Sequence, residues 1–441
     1  MGAEVFLRGL LRGFYSSREI NSVPDVSMRE FGIGDFGRKI SARHLSFRSH
    51  AEMNSFLREK APFYISYSCA RYELPSARPM EAKRMLGADL IYEFDADELP
   101  TDCKKSHDSW KCRSESCGAS GAGRALRCSK CGSAADVEEW VCPECLGEAK
   151  RQSLRLISFL QDDFGLSGGI AVNFSGSKGF HIHVRSGEVQ GLSRSARLEL
   201  LDYLTATGLD MDSLGFSYVA GRGKENRESG FFVCPKKSGA SGWAKRILAE
   251  FERVFESGDA SRLGLMGGIR ESSAKKLLKE KHRILSHMDK GLLAFSTKEV
   301  PTNRFWKSCM ACIVADLKVE PTLRKTNMDT LEVDRQTSVD INKIVRVPGT
   351  IHGSTGLLAE EVAVDGLKGF APLDECLALP SGDVSLASAV APRFYLGGKF
   401  FGPFGGEGAV LPAFAAFYLL ARGSASLSGV SGSGVAVPGG V

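Results

Sequence analysis

Apolar positions along this chain follow two rhythms, one of period near 3.6 and one of period two, and each change of rhythm marks an element. Helical spacing predicts an amphipathic helix over residues 3–18, a second over 149–163, a helix-rich stretch over 242–293 with breaks near Gly258 and at 264–268, and a closing helix over 412–425. Alternating or short apolar runs predict strands at 42–47, 63–68, 90–97 and 329–334, and a strand, tight turn and strand over 169–184. Arg29-Glu-Phe-Gly-Ile-Gly34 reads as a Gly-rich turn, and a loop rich in Pro and Ser precedes residue 90. Residues 337–346 carry the capping chemistry and periodicity of a helix start. Strands and helices in this order make an α+β protein. The Ser/Gly-rich residues 427–441 read as a disordered tail.

The stretch Leu90-Ile-Tyr-Glu-Phe-Asp-Ala-Asp97 is the most informative. As a strand it turns Tyr92, Phe94 and Ala96 to one face and Glu93, Asp95 and Asp97 to the other. Carboxylates that close repel one another and raise one another's pKa, which a hard divalent cation such as Mg²⁺ or Mn²⁺ would relieve. The plain alternative is a solvated strand end. In Gly169-Ile-Ala-Val-Asn-Phe-Ser-Gly-Ser-Lys-Gly-Phe-His-Ile-His-Val184, Gly176 and Gly179 let backbone N–H groups approach a bound group, while Ser175, Ser177 and Lys178 add donors and one charge. Such a turn suits phosphate, although it is not a Walker loop. His181 and His183 share a face opposite Phe180, Ile182 and Val184; a plain hairpin with solvent-facing histidines is the alternative. Residues 329–334 end on Asp334 much as the first strand ends on Asp97. Asp340 instead opens the helical pattern, where the helix dipole favours an acid without any metal, so Asp334 is the preferred third carboxylate. A polar Gly-rich loop over 347–356 carries His352.

Composition narrows the class without naming it. The 441 residues are 43% apolar and 25% charged, enough for two or three substructures around a sizeable core. A net charge of +5 from 57 basic and 52 acidic residues permits a polyanionic partner but does not demand one. No apolar run is long enough to span a membrane, and the first residues lack the pattern of a signal peptide, so a cytoplasmic protein is expected. Seven of the twelve cysteines lie between Cys103 and Cys145, and with His107 they make eight ligands, enough for two four-coordinate zinc sites. Chain closure favours Cys103, His107, Cys142 and Cys145 as an inner site at the base of the module. Cys112, Cys117, Cys128 and Cys131 then form an outer, ribbon-like site. Free buried thiols are the alternative, but the polar, Gly-rich sequence between these cysteines offers no core to bury them. Cys309 and Cys312, in a helical pattern, read as buried thiols rather than a third metal site.

Taken together these pieces resemble the catalytic small subunit of archaeal and eukaryotic DNA primase, in an archaeal form. The resemblance rests on Arg29-Glu-Phe31, Arg43-His-Leu-Ser-Phe47, Gly87-Ala-Asp-Leu-Ile-Tyr-Glu-Phe-Asp-Ala-Asp97, the Cys/His cluster, Asp162-Asp-Phe-Gly165, Phe174-Ser-Gly-Ser-Lys-Gly-Phe-His181, Arg346-Val-Pro-Gly-Thr-Ile-His-Gly-Ser-Thr-Gly-Leu357 and Tyr418-Leu-Leu-Ala-Arg-Gly423, in the family's order over most of the chain. It implies the archaeo-eukaryotic primase fold, a small mixed sheet flanked by helices, here with an inserted zinc module and a helical insert. It also implies that Asp95, Asp97 and Asp334 hold the catalytic metals, and that Arg43, Ser175, Lys178, His181, Arg346 and His352 bind the incoming nucleotide. The chain departs from the family at Ser177, where a basic residue is usual, and at Thr350 and Ser354, where Ser and Lys are usual.

The expected organisation is a catalytic core in three parts (1–102, 146–241 and 301–370), a zinc module over 103–145, a helical insert over 242–300 and a C-terminal helical segment over 371–426. The implied activity is DNA primase, a nucleotidyltransferase that makes short RNA or DNA primers on single-stranded DNA from NTPs or dNTPs by two-metal catalysis. Implied partners are a primase large subunit, which supplies an iron–sulfur cluster, and a replicative DNA polymerase; no membrane is involved, and a place at the nucleoid is expected. Two other readings remain at this stage: a glycosyltransferase using a metal and a nucleotide-sugar, and a non-catalytic zinc-ribbon scaffold for replication factors.

Overall fold

A computed structural model describes residues 2–222, 228–297, 300–321, 324–325, 333–334 and 340–428. By its contacts the chain forms two compact units, one of residues 1–154, 166–198 and 320–441, the other of 155–165 and 199–319.

The first unit is built on two four-stranded antiparallel sheets. One runs in the order Ile344–Arg346, Tyr64–Ser68, Phe31–Asp35 and Arg38–Leu45; the other in the order Glu360–Val362, Ile170–Phe174, Gly179–Val184 and Leu90–Asp95. Every pairing among the described strands is antiparallel, which corrects the expected mixed sheet. The reason is local: tight hairpins reverse the chain between sequence neighbours, as at the turn 175–178, where Gly176 takes a φ of +74°. In the second sheet Asp95 stands opposite Gly179, Glu93 opposite His181, and His181 opposite Asn173, so one face is polar. The other face turns Phe94, Phe174, Phe180 and Ile182 inward with no exposed surface, and Phe370 meets both Phe174 and Phe180 edge-on.

Three local expectations change. Residues 31–35 are a strand rather than a Gly-rich turn, because a Cβ on Gly32 would meet the Ile344 side chain at 2.7 Å and one on Gly34 would collide with the backbone of the adjacent strand. These glycines serve close packing. Residues 340–346 are not a helix start: a turn leads into Ile344–Arg346, whose hydrogen bonds to Tyr64–Ser68 outweigh a short helical pattern. The expected strand over 329–334 is described only at Val333–Asp334, paired with Arg324–Lys325, and the helix start at 337–339 falls outside the described residues. The C-terminal segment is mostly strand, with Asp383–Ala391 alternating in burial and pairing with Ala409–Pro412 and Ala425–Leu427; its helices are Pro372–Glu375 and Ala413–Ala421. Period two decided this region. The tail over 429–441 lies outside the described residues.

The second unit packs helices Gly242–Ser257, Ala260–Gly267, Glu271–Lys279, Lys281–Asp289 and Thr302–Leu317 around a core that includes Phe251, Phe255, Phe305 and Trp306. Cys309 is fully buried within it and Cys312 half-buried. Neither belongs to a metal-competent group among the described residues.

A buried charge cluster underpins the acidic strand of the first unit. Asp89 and Arg29 pair at 3.3 Å with side chains 0% and 1% exposed, and Gln190 donates to Asp89 at 3.0 Å. Burial opposes the Asp89 charge, but the hydrogen bond with His183 and the Arg29 charge hold its carboxyl below the usual range. A depressed pKa means this stabilisation is present above the unfolded carboxyl's pKa and lost as acid titrates the folded one. Asp89→Ala would leave Arg29 buried and unpaired, at a cost of about 3–5 kcal/mol. Thermal unfolding measures the loss, and an unchanged midpoint would refute it.

Candidate active site

These two four-stranded sheets of the first unit enclose a cleft of about 350 Å³, within the range of small-ligand sites. Its walls bring together Asp95, Ser175, Lys178, His181, Arg346 and His352, six residues singled out in the sequence. They also include Glu93 and Ser177, read from the sequence as part of the acidic strand face and of the phosphate-suited turn, and Lys39, Glu98 and Lys343, which sequence reasoning did not assign. For Lys39 and Lys343 no local motif exists; only strand pairing delivers them.

Acids gather on one wall. Asp95 ends its strand with its carboxyl pushed up to about 7 by burial first, then by Glu93 and Asp97, with Lys178 acting in the opposite sense. Asp97 lies in the turn beyond, not among the residues lining the cleft, so its position is set by the turn rather than by strand alternation. Its Oδ2 accepts a hydrogen bond from Lys178, while its Oδ1 is buried and has no hydrogen-bond partner. Burial disfavours the Lys178 charge, but Asp97 and Asp95 outweigh it and its pKa is raised. Gly179 is required here, since a Cβ would strike the Phe94 carbonyl and the Asp95 carboxylate.

Cations and donors form the other wall. Arg346 lies over the Tyr64 ring at 4.9 Å, and its Nε and Nη1 are buried without partners. Burial lowers its pKa to about 10. Lys343 reaches Glu93 at 2.8 Å. His181 faces Glu93 at 3.6 Å with its Nδ1 unpartnered, so the histidines of the hairpin are buried and not solvent-facing. His352 is held well below its ordinary pKa by burial, then by Arg346, Lys39 and Lys178, so its imidazole is neutral. A Cβ on Gly176 would come within 2.9 Å of the His352 Cβ, and this glycine lets the turn and the His352 loop meet. Ser175 Oγ accepts from the N–H groups of Ser177 and Gly179 at 3.3 and 3.2 Å and shapes the turn.

Arg43 is not among the lining residues: its guanidinium donates to Glu30 at 3.0 Å and to the Asn342 carbonyl at 3.2 Å. Asp334 is placed in the strand Val333–Asp334, but its side chain lies outside the described residues.

The Cys/His module divides as its spacing predicts. Cys103, His107, Cys142 and Cys145 form one group and Cys112, Cys117, Cys128 and Cys131 another, the ligand atoms of each within 4.8 Å of one another, so each could hold a metal ion such as zinc. The inner group joins the helix Lys104–His107 to the start of Pro143–Phe164. The outer group caps the small sheet of Ser120–Ala122, Ser109–Cys112 and Ala135–Glu138.

A cleft with clustered acids on one side and unspent cationic donors on the other suits a polyphosphate and its counter-cation, the equipment of a nucleotidyltransferase. The family model for the DNA primase small subunit matches residues 135–364, slightly over half of the chain. The chain is 28% identical over 418 residues to the DNA primase small subunit of Cenarchaeum symbiosum, covering 94% of this chain and 96% of that protein. It is 28% identical over 429 residues to that of Methanothrix thermoacetophila (96% and 98%) and 27% identical over 433 residues to that of Methanococcoides burtonii (95% and 97%). The chain belongs to the DNA primase small subunit family, and its role is the catalytic one of a primase. These matches give no support to a glycosyltransferase or a scaffold. Among the described residues no helix is long and apolar enough to cross a membrane.

Proposed function

We propose that this cleft makes short RNA or DNA primers on single-stranded DNA by nucleotidyl transfer, with Asp95, Asp97 and Asp334 holding Mg²⁺ or Mn²⁺. The observation that carries the reading is the pairing of a crowded acid wall with the two unpartnered nitrogens of Arg346 across one cleft. The donor set fits a hard divalent cation: oxygen ligands only, one carboxylate oxygen buried without a partner, and a neighbouring carboxyl pushed up by burial and then by like charge. When bound, such cations lower the pKa of a primer 3′-hydroxyl and neutralise charge on the triphosphate.

The chain's own residues do the rest. Arg346 and Lys178 offset charge on the transferred phosphate, in a site where burial strengthens that attraction. Neutral His352 contributes a hydrogen bond rather than a charge, and the turn 175–178 offers backbone N–H groups. His181 completes the nucleotide site in this reading, Arg43 being engaged with Glu30 outside the lining of the cleft, and zinc occupies both Cys/His groups. A primase large subunit, carrying an iron–sulfur cluster, and a replicative polymerase are the protein partners, in the cytoplasm at the nucleoid. In this reading the zinc module spans 103–145, and the helical insert over 242–300 packs with residues 199–241 and 301–319 in the second unit. Primer synthesis by the purified chain on single-stranded DNA, with and without Mn²⁺, is the test; no product under either condition would count against the reading.

Two sets of substitutions sharpen it. Lys178→Ala and His352→Ala each remove a polar or charge-assisted hydrogen bond and should weaken NTP binding by about 1.5–3 kcal/mol. Lys178→Ala should be the more harmful, because it also releases Asp97. Titration of NTP binding decides this, and unchanged affinity in both variants would mean the turn does not face phosphate. Asp334→Asn should eliminate primer synthesis, whereas Asp340→Asn should keep most of it. Asp340 is exposed and its Oδ1 accepts from the Asn342 N–H at 2.9 Å, a turn-capping role in place of the helix start predicted for it. Reversed activities would reassign the third carboxylate.

A further inference from the structure

One guanidinium ties the metal module to the acid wall. Arg124 sits in the outer Cys₄ ribbon, between Cys117 and Cys128, and donates to three segments at once. Its Nε reaches Asp108 Oδ2 at 2.6 Å, its Nη2 reaches Glu139 Oε1 at 2.9 Å, and its Nη1 donates to the backbone carbonyl of Asp97. Each acceptor leads to a different part of the site. Asp108, with no exposed side-chain surface, also binds His107 Nδ1 at 2.8 Å and the Trp140 N–H at 2.9 Å, so it orients an inner-site ligand. Glu139 lies 3.7 Å from Lys178, which holds the Asp97 carboxylate. Lys104, on the inner-site helix, adds a second donor to the Asp97 carbonyl at 3.0 Å.

The ribbon that carries Arg124 has almost no core of its own. Its buried cluster is Trp110, Cys112, Cys128 and Ala135, and two of these four are outer-site cysteines. A loop this poor in apolar contacts takes its shape from metal bound to its cysteines. Gly123, at φ +76°, donates its N–H to the Asp108 carbonyl at 2.7 Å and sets the direction from which Arg124 enters.

We propose that Arg124 is a positioning residue through which the outer Cys₄ site fixes the Asp97 turn, so that loss of the outer metal loosens the catalytic carboxylate. This rests on the reading of Asp97 as a catalytic-metal ligand. Lysine cannot replace it, because a single ammonium does not present the planar fork that spans three acceptors.

The full-length chain provides the test, in six forms: wild type, Arg124→Ala, Arg124→Lys, the outer-site double variant Cys128→Ser/Cys131→Ser, that double variant combined with Arg124→Ala, and Asp97→Asn. Zinc content, thermal unfolding, Mn²⁺ affinity by electron paramagnetic resonance, and kcat and KM for NTP are measured on each. Arg124→Ala and Arg124→Lys should keep both zinc ions and a near-normal melting temperature, yet lose roughly 10–100-fold in Mn²⁺ affinity and kcat, as for removal of a partner that orients a metal ligand. The outer-site variant should lose one zinc and show the same fall, and the combined variant should fall no further, since both act through one contact. Wild-type Mn²⁺ affinity and kcat in Arg124→Ala or Arg124→Lys, or additive losses in the combined variant, would overturn the coupling while an inactive Asp97→Asn leaves the carboxylate assignment standing. An Asp97→Asn chain with normal Mn²⁺ affinity and turnover would instead overturn the assignment beneath it.

Discussion

Asp95→Asn and Asp97→Asn should each lower nucleotide incorporation by roughly 10³-fold or more, the loss of several kcal/mol of transition-state stabilisation. The two carboxylates reach the site differently, so the two variants should differ in detail. Asp95 is half-buried at a strand end and its charge is opposed by that burial, Glu93 and Asp97, so the Asn variant relieves a conflict and should melt no lower than the wild type. Asp97 carries the hydrogen bond from Lys178, so Asp97→Asn weakens one ion pair and should cost modest stability as well. Single-turnover primer extension, with a thermal melt on the same samples, separates chemistry from folding. Near-normal extension by either variant would sink the metal-binding role of that carboxylate.

The second large effect is expected at the inner Cys/His group. Cys145 is 1% exposed, and its Sγ lies 3.7 Å from Cys142 Sγ and 3.9 Å from His107 Nε2, a spacing ready for one tetrahedral ion. The site joins the turn after the acidic strand to the long helix Pro143–Phe164. Trp140 just before it is packed by Phe394 and Tyr418, with the Arg422 guanidinium 4.3 Å from its ring centroid. Binding energy for a structural zinc of this kind is about 10–16 kcal/mol and is spent on folding. Cys145→Ser should therefore reduce zinc from two ions per chain to one, lower the melting temperature steeply and remove primer synthesis together. The outer-site variant, by contrast, should keep the fold. A Cys145→Ser chain that melts normally and stays active would show that packing around Trp140 alone holds the base of the module.

Much of the site could be read in the chain because its chemistry is local in sequence. A strand ending in Glu93, Asp95 and Asp97, a turn of Ser175, Gly176, Ser177 and Lys178, and eight Cys/His ligands in nested order each carry their meaning within a few residues. Spacing alone separated the inner from the outer metal group, because chain closure admits few pairings.

A local pattern misleads where its structural partner lies far along the chain. Glycines at 32 and 34 looked like a turn until the neighbouring strand and Ile344 showed what needed the space. Ile344 and Val345 fitted a helix until the free edge of Tyr64–Ser68 claimed their backbone. In the C-terminal segment, expected to be helical, the three-residue strands Phe394–Leu396 and Lys399–Phe401 are too brief to show a period, and the alternation of Asp383–Ala391 is plain only in its burial.

By itself, then, the sequence determined which side chains carry charge, sulfur and imidazole, the α+β class and the division of the Cys/His residues into two groups, since composition and short-range spacing suffice for these. Only the tertiary structure decided that Lys39, Lys343 and Arg346 face the acids, that Arg43 turns instead to Glu30, and that Arg124 reaches across to Asp97. Those contacts join residues tens to hundreds of positions apart. They depend on strand register and on which faces must be buried, quantities no local window contains.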